Sequence, residues 1–96
     1  MASVPPSELT APQQALWWLK HGDFKPGPAW EKAHAICQTA EGTFDYDLVH
    51  ALAHWIEGDI GNRNYWYARV GAEGRAATIP LEWERMTRIL ENRVVS

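Results

Sequence analysis

The chain is poor in the residues on which covalent chemistry most often rests. It has a single cysteine, Cys37, and its serines stand only at positions 3, 7 and 96, in the two tails. A lone cysteine excludes an internal disulfide, and a serine in a tail is not held in place as a nucleophile must be. Glycine-rich phosphate loops are absent too: Gly71-Ala-Glu-Gly74 follows a helical segment and lacks both the spacing and the lysine of such loops. The HExxH pattern of zinc proteases does not occur. No apolar run approaches the roughly 20 residues that cross a bilayer. Nine Lys and Arg residues against twelve Asp and Glu leave a net charge of −3, and the cations are scattered, so nothing marks nucleic acid or an anionic membrane as a partner. With no basic stretch leading into an apolar one at the start of the chain, and one cysteine, the expected address is the cytoplasm. Alternating Val, Ile and Thr, the signature of strands, is missing as well.

What the chain does have is tryptophan. Six of them, at positions 17, 18, 30, 55, 66 and 83, stand in a chain of 96 residues. Each can bury on the order of 200 Å², which lets a small domain build a core from few side chains. Residues 1–9 carry Pro5 and Pro6 without periodicity and are expected to form a mobile arm, leaving 10–96 as one domain. Five helical segments follow. Thr10 and Gln13 have capping-box spacing, and the first segment stops at Gly22. Pro28 opens the second, whose Trp30, Ala33, Cys37 and Ala40 recur on one face and which ends by Gly42. Thr43 caps the third, which Gly58 closes; Asp59 caps the fourth, which halts at Gly71. A loop from Ala72 to Ile79 leads to the last, where Trp83, Met86 and Leu90 form the apolar stripe and Glu82 and Glu84 lie near the positive end of the helix dipole. Trp30 and Trp83 are expected to be largely buried. The fold class is therefore all-α, five antiparallel helices.

The chain also repeats itself. Ala15 and Leu16 before Gly22-Asp23 match Ala51 and Leu52 before Gly58-Asp59 at the same spacing. Each copy reads as helix, Gly-Asp turn, helix, and resembles the tetratricopeptide-like repeats, with the last helix as a cap on the second hairpin. Asn64 departs from that pattern, standing where such repeats carry a small residue. A second resemblance covers most of residues 15–71. Gly22-Asp23, Trp30-Glu31-Lys32-Ala33-His34, His50-Ala51-x-x-His54, Glu57-Gly58-Asp59 and Asn64-Tyr65-Trp66-Tyr67 are similar to a group of small proteins of unknown function that share a string close to HAxxHRxEGDxxNAxYWYRRAG. Trp55 and Asn64 depart from it, at positions where Arg and Ala are usual. That resemblance implies relatedness and no particular chemistry.

Candidate functional residues gather in the same stretch. His50, His54 and Glu57 fall at i, i+4 and i+7, a stripe only about 60° wide on a helix, opposite Leu48, Leu52 and Ile56. Two imidazoles so spaced can chelate zinc or another transition metal, and Glu31 and His34 on the second helix are possible further ligands. The plain alternative is a polar seam in which this stripe faces the second helix near His34 and Glu31, each imidazole is hydrogen-bonded, and any opening to solvent is the ligand site. Tyr65 and Arg69 are expected to form an exposed pair on the fourth helix, with Trp66 and Val70 turned to the core. Cys37 lies on an apolar stripe, where a thiol acts as a small hydrophobe. The functional expectation is a binding module for another protein or peptide, without catalysis or cofactor, using His34, His50, His54, Glu57, Asp59, Tyr65 and Arg69. The alternative is a small metal-dependent or acid/base enzyme built on the histidine cluster, and a third reading is a homodimer made through exposed aromatics.

Overall fold

The computed structural model describes residues 3–71 and 75–95. It is all-helical: α1 (Ala11–His21), α2 (Pro28–Gln38), α3 (Phe44–Glu57), α4 (Ile60–Val70) and α5 (Ile79–Val95), with no strand among the described residues. Met1 and Ala2 of the expected arm, and most of the Gly71–Gly74 stretch, lie outside the described residues.

Local chemistry sets the boundaries. Thr10 and Gln13 make both halves of the capping box at the start of α1, and Pro12 occupies the first turn, where a missing N–H costs nothing. Gly58 and Gly71 end α3 and α4 in the left-handed conformation. Asp59 caps α4 by accepting the Asn62 N–H. Thr43 precedes α3 but makes no side-chain cap bond; instead Asp47, from the first turn, reaches back to accept the Gly42 N–H. Helix α2 stops at Gln38, short of Gly42, and Thr39 to Gly42 form a turn. Gly22 has a packing role, since a Cβ there would sit 2.8 Å from the Ala29 Cβ, so α1 and the start of α2 meet only because this side chain is absent.

Helix α3 is the axis of the molecule. It packs against α1, α2, α4 and α5, and every residue from Asp47 through His54 is buried. That run exceeds two helical turns, so the helix is covered all round and its histidine stripe is as buried as its leucine stripe. Leu16, Leu19, Ala33, Cys37, Leu48, Leu52, Met86 and Leu90 complete the core.

Helix α5 lies along both α3 and α1. A cap on the second hairpin alone would touch α3 and α4. Helix α4 reaches α5 through a side chain, the Tyr67 hydroxyl donating to Glu82. Trp30 is buried, its indole N–H donating to the Ala53 carbonyl. Trp83 departs from expectation: it is only half-buried, because its ring lies at the rim of the groove between α5 and α1, where its N–H donates to the Leu16 carbonyl.

Glu82 is the other departure. The pattern placed it at the positive end of α5, yet it is fully buried, accepting from Tyr67, Arg85 and the Ala76 N–H. Burial raises its carboxyl pKa, but the bonds from Arg85, Ala76 and Tyr67 outweigh burial and hold it below the usual range.

Candidate functional site

Helices α2 and α3 bring three imidazoles together. His34 comes from the face of α2 that meets α3; His50 and His54 come from successive turns of α3. His50 is 2% exposed and His54 7%, while His34 is half-buried and forms the open side of the cluster. One ligand nitrogen from each ring lies within 4.8 Å of the others. The His34 and His50 Nε2 atoms are 3.1 Å apart.

Two tryptophans wall the cluster. Trp30 stacks on His34 with ring centroids 4.7 Å apart, and Trp66 stacks on His50 at 4.1 Å. The i, i+4 spacing of Trp30 and His34 on one helix is what sets the first stack, and it was readable in the chain. Trp66, from α4, was read as core without its histidine partner, because nothing in a linear pattern pairs α4 with His50.

Proton positions follow from the contacts. Glu57 Oε1 lies 2.5 Å from His54 Nδ1, and a carboxylate only accepts, so His54 Nδ1 carries a proton and Nε2 is the nitrogen left for the chemistry of the cluster. Between His34 and His50 one Nε2–H donates to the other Nε2, which requires that the two are not both protonated. His50 Nδ1 is buried without a hydrogen-bond partner among the described residues. Burial, then the neighbouring His34 and His54, push the His50 pKa down to about 4. Burial and His54 likewise lower His34, against the pull of the Glu57, Glu31 and Glu41 carboxylates. Near neutral pH both rings are therefore uncharged and hold lone pairs.

The remaining expected site residues fall around this centre unequally. Glu57 holds His54 and is partly exposed. Asp59 approaches His54 and Glu57, but it is exposed and committed to the α4 cap, accepting from the Asn62 backbone and side chain; those two bonds keep its pKa low. Glu31 stays exposed and joins no cluster of candidate ligands among the described residues; it acts on His34 only through its charge. Tyr65 and Arg69 do pair, Arg69 Nη1 donating to the Tyr65 hydroxyl at 3.0 Å. Arg69 also lies over the Trp66 ring and 4.0 Å from the buried Asp47. Cys37 is buried, and burial pushes its thiol up to about 12, so it is protonated and unreactive at neutral pH.

No family model, curated protein or solved structure matches this chain. What the site can do must be argued from its donor set. Three imidazoles on two helices, one of them backed by a carboxylate, form a nitrogen-rich cluster that reaches solvent at His34 and Glu57. No helix is long and apolar enough to cross a membrane among the described residues.

Proposed function

We propose that the protein binds a divalent transition-metal ion through His34, His50 and His54. The observation that carries this reading is the convergence of three imidazole nitrogens, with the His34 and His50 Nε2 atoms 3.1 Å apart. Zinc–nitrogen bonds of about 2.0–2.1 Å in a tetrahedron put neighbouring ligands about 3.3 Å apart, so this pair already stands close to the spacing a metal needs. The His54 ring needs a small shift to complete the set. Its partner Glu57 then plays the usual supporting part, accepting from Nδ1, orienting the ring and raising its basicity. Imidazole-only sites suit zinc, copper and nickel over magnesium or calcium. The depressed pKa values of His34 and His50 assist, because the metal meets uncharged rings, and the one Nε2–H shared between them need only move to the Nδ1 of its own ring for both Nε2 atoms to present lone pairs.

Three protein ligands leave a fourth position, and the half-buried His34 puts it on the solvent side. Water or a partner's side chain can take that place. An open position of this kind is also what a metal-activated water requires, so the enzymatic reading rests on the same three residues.

The test is calorimetric titration of the metal-stripped protein with Zn(II), beside the absorption of the Co(II) form. We expect one ion per chain, tetrahedral cobalt bands, and a loss of about tenfold or more in affinity for His34→Ala. His34 is the ligand to change because it is the least buried of the three. Wild type and His34→Ala binding alike, or neither binding, overturns the reading and leaves the imidazoles as a packed seam.

The second reading, a non-catalytic module that binds a protein, draws support from a different region: the aromatic groove where Trp17 and Trp83 remain half-exposed.

A further inference from the structure

Helices α1 and α5 run antiparallel, because Lys20, late in α1, covers the ring of Trp83, early in α5, while Gln13 and Leu9 line a recess with Thr87 and Glu91. Between the two helices runs a shallow groove in two lobes that share Trp17 and Trp83 as common walls. On α1 the groove residues Gln13, Trp17 and His21 stand at i, i+4 and i+8; on α5, Trp83, Thr87 and Glu91 do the same. Each helix therefore offers one straight stripe, and the stripes lie side by side.

Charge along this groove is polar in direction. One end carries the carboxylate of Glu91 and the other carries Lys20 and His21, with apolar and aromatic surface between them. From Trp83 to Glu91 is eight residues, a rise of about 12 Å, so the opposite charges are too far apart to neutralise one another within one chain. A twofold axis through the middle of the groove, near Trp17 and Thr87, sets the Glu91 end of one copy against the Lys20 end of another, twice. Such a surface is self-complementary, the condition for an isologous dimer.

We infer that the α1–α5 groove is the interface of a homodimer, in which Trp17 and Trp83 of two copies pack at the centre and Lys20 pairs with Glu91 of the partner at both ends. Tryptophan at the centre with charges at the rim is the usual energetic arrangement of interfaces. A groove two helices wide and about 12 Å long belongs to the small end of interface sizes, so the dimer is weak and concentration-dependent. Its charged rim makes it stronger at low salt. The inference does not depend on the histidine centre, which lies at the α2–α3 junction.

Sedimentation velocity over a wide concentration range tests it, with circular dichroism to show that each variant is folded. Wild type should pass from monomer to dimer as concentration rises. Trp17→Ala, which leaves the core residues in place, should weaken the dimer by about tenfold or more. Lys20→Glu and Glu91→Lys should each weaken self-association by setting like charges opposite one another. An equimolar mixture of these two single variants should associate again, because one copy then carries two acids and the other two bases at the paired positions. A wild type that stays monomeric at every concentration overturns the inference. So does a dimer that survives Trp17→Ala and both charge reversals, since that dimer would use another face.

Discussion

Glu82 is a carboxylate with no exposed surface, and the residues around it show why it is tolerated there. Arg85 donates to both of its oxygens, the Tyr67 hydroxyl to one and the Ala76 N–H to the other, so each acceptor site is used. The same bonds tie α4, the start of α5 and the loop before it into one unit. Burial, followed by the bond to Glu82, raises the Tyr67 hydroxyl far above its usual pKa, so it remains a donor at any working pH. Glu82→Ala should cost about 1–3 kcal/mol, because it leaves the Tyr67 hydroxyl and the Ala76 N–H without their acceptor, while the half-exposed Arg85 can turn to water. Tyr67→Phe should cost about 1–3 kcal/mol, the penalty for one unmade bond to a buried charge. The double variant should cost less than the sum of the two, since both act on one network. Urea titrations measure all three, and a loss below about 1 kcal/mol for Glu82→Ala would show that the buried carboxylate is not anchored as described.

At the scale of elements, α1 carries its own start signal. Thr10 and Gln13 close the capping box, and Gln14 Nε2 donates to the Leu9 carbonyl, so everything needed to begin the helix lies from Leu9 onward. Of the described residues before Leu9, only Pro5 has appreciable cover, and Val4 is exposed. Removing residues 1–8 should therefore shift the thermal midpoint by less than about 2 °C. A fall of more than about 5 °C would mean that the segment docks on the domain. The turn between α1 and α2 is less relaxed. Asp23 and Phe24 both adopt positive φ, at 60° and 56°, a conformation that costs a phenylalanine on the order of 1 kcal/mol. Phe24 offsets this by packing on the core beside Trp83.

For the whole molecule, the buried histidines couple folding to pH. The His50 pKa in the folded protein is depressed from 6.5 to about 4. Between those values the unfolded chain binds a proton that the folded one refuses, so stability rises with pH across the window. The contribution is fully present above about pH 6.5 and is lost as pH falls toward 4, in total on the order of 3 kcal/mol. His34, lowered in the same direction, adds to the loss. The depressed carboxyl of Glu82 extends it further into acid. Urea unfolding at a series of pH values should trace this slope, and His50→Phe should flatten it. A wild-type stability that is level from pH 7 to 5 would mean that His50 is not held in its uncharged form.

Capping and periodicity are local properties, and here the sequence by itself determined them: where α1, α3 and α4 begin and end, the absence of strands among the described residues, the apolar stripe of Cys37 and the pairing of Tyr65 with Arg69. The one-sided distribution of His50, His54 and Glu57 was also legible, because helical spacing places residues on a face without knowledge of neighbours. That the second helix brings His34 against that face was expected too, since a helix in the middle of the chain needs a second neighbour; the Trp66 ring stacked on His50 and the depth of burial were not. A stripe of two histidines and a glutamate reads the same in water as under a covering helix, and only the packing of α3 among four others decided that the two histidines are buried while Glu57 stays at the surface. The same holds for Glu82, which local pattern assigns to a helix dipole and tertiary contact assigns to Tyr67 and Arg85. It holds for Trp83, whose apolar ring belongs to a groove rim because α5 settles along α1. Burial depends on residues far apart in the chain, His34 and His50 sixteen positions from one another, Leu16 and Trp83 sixty-seven, and no local pattern encodes such distances.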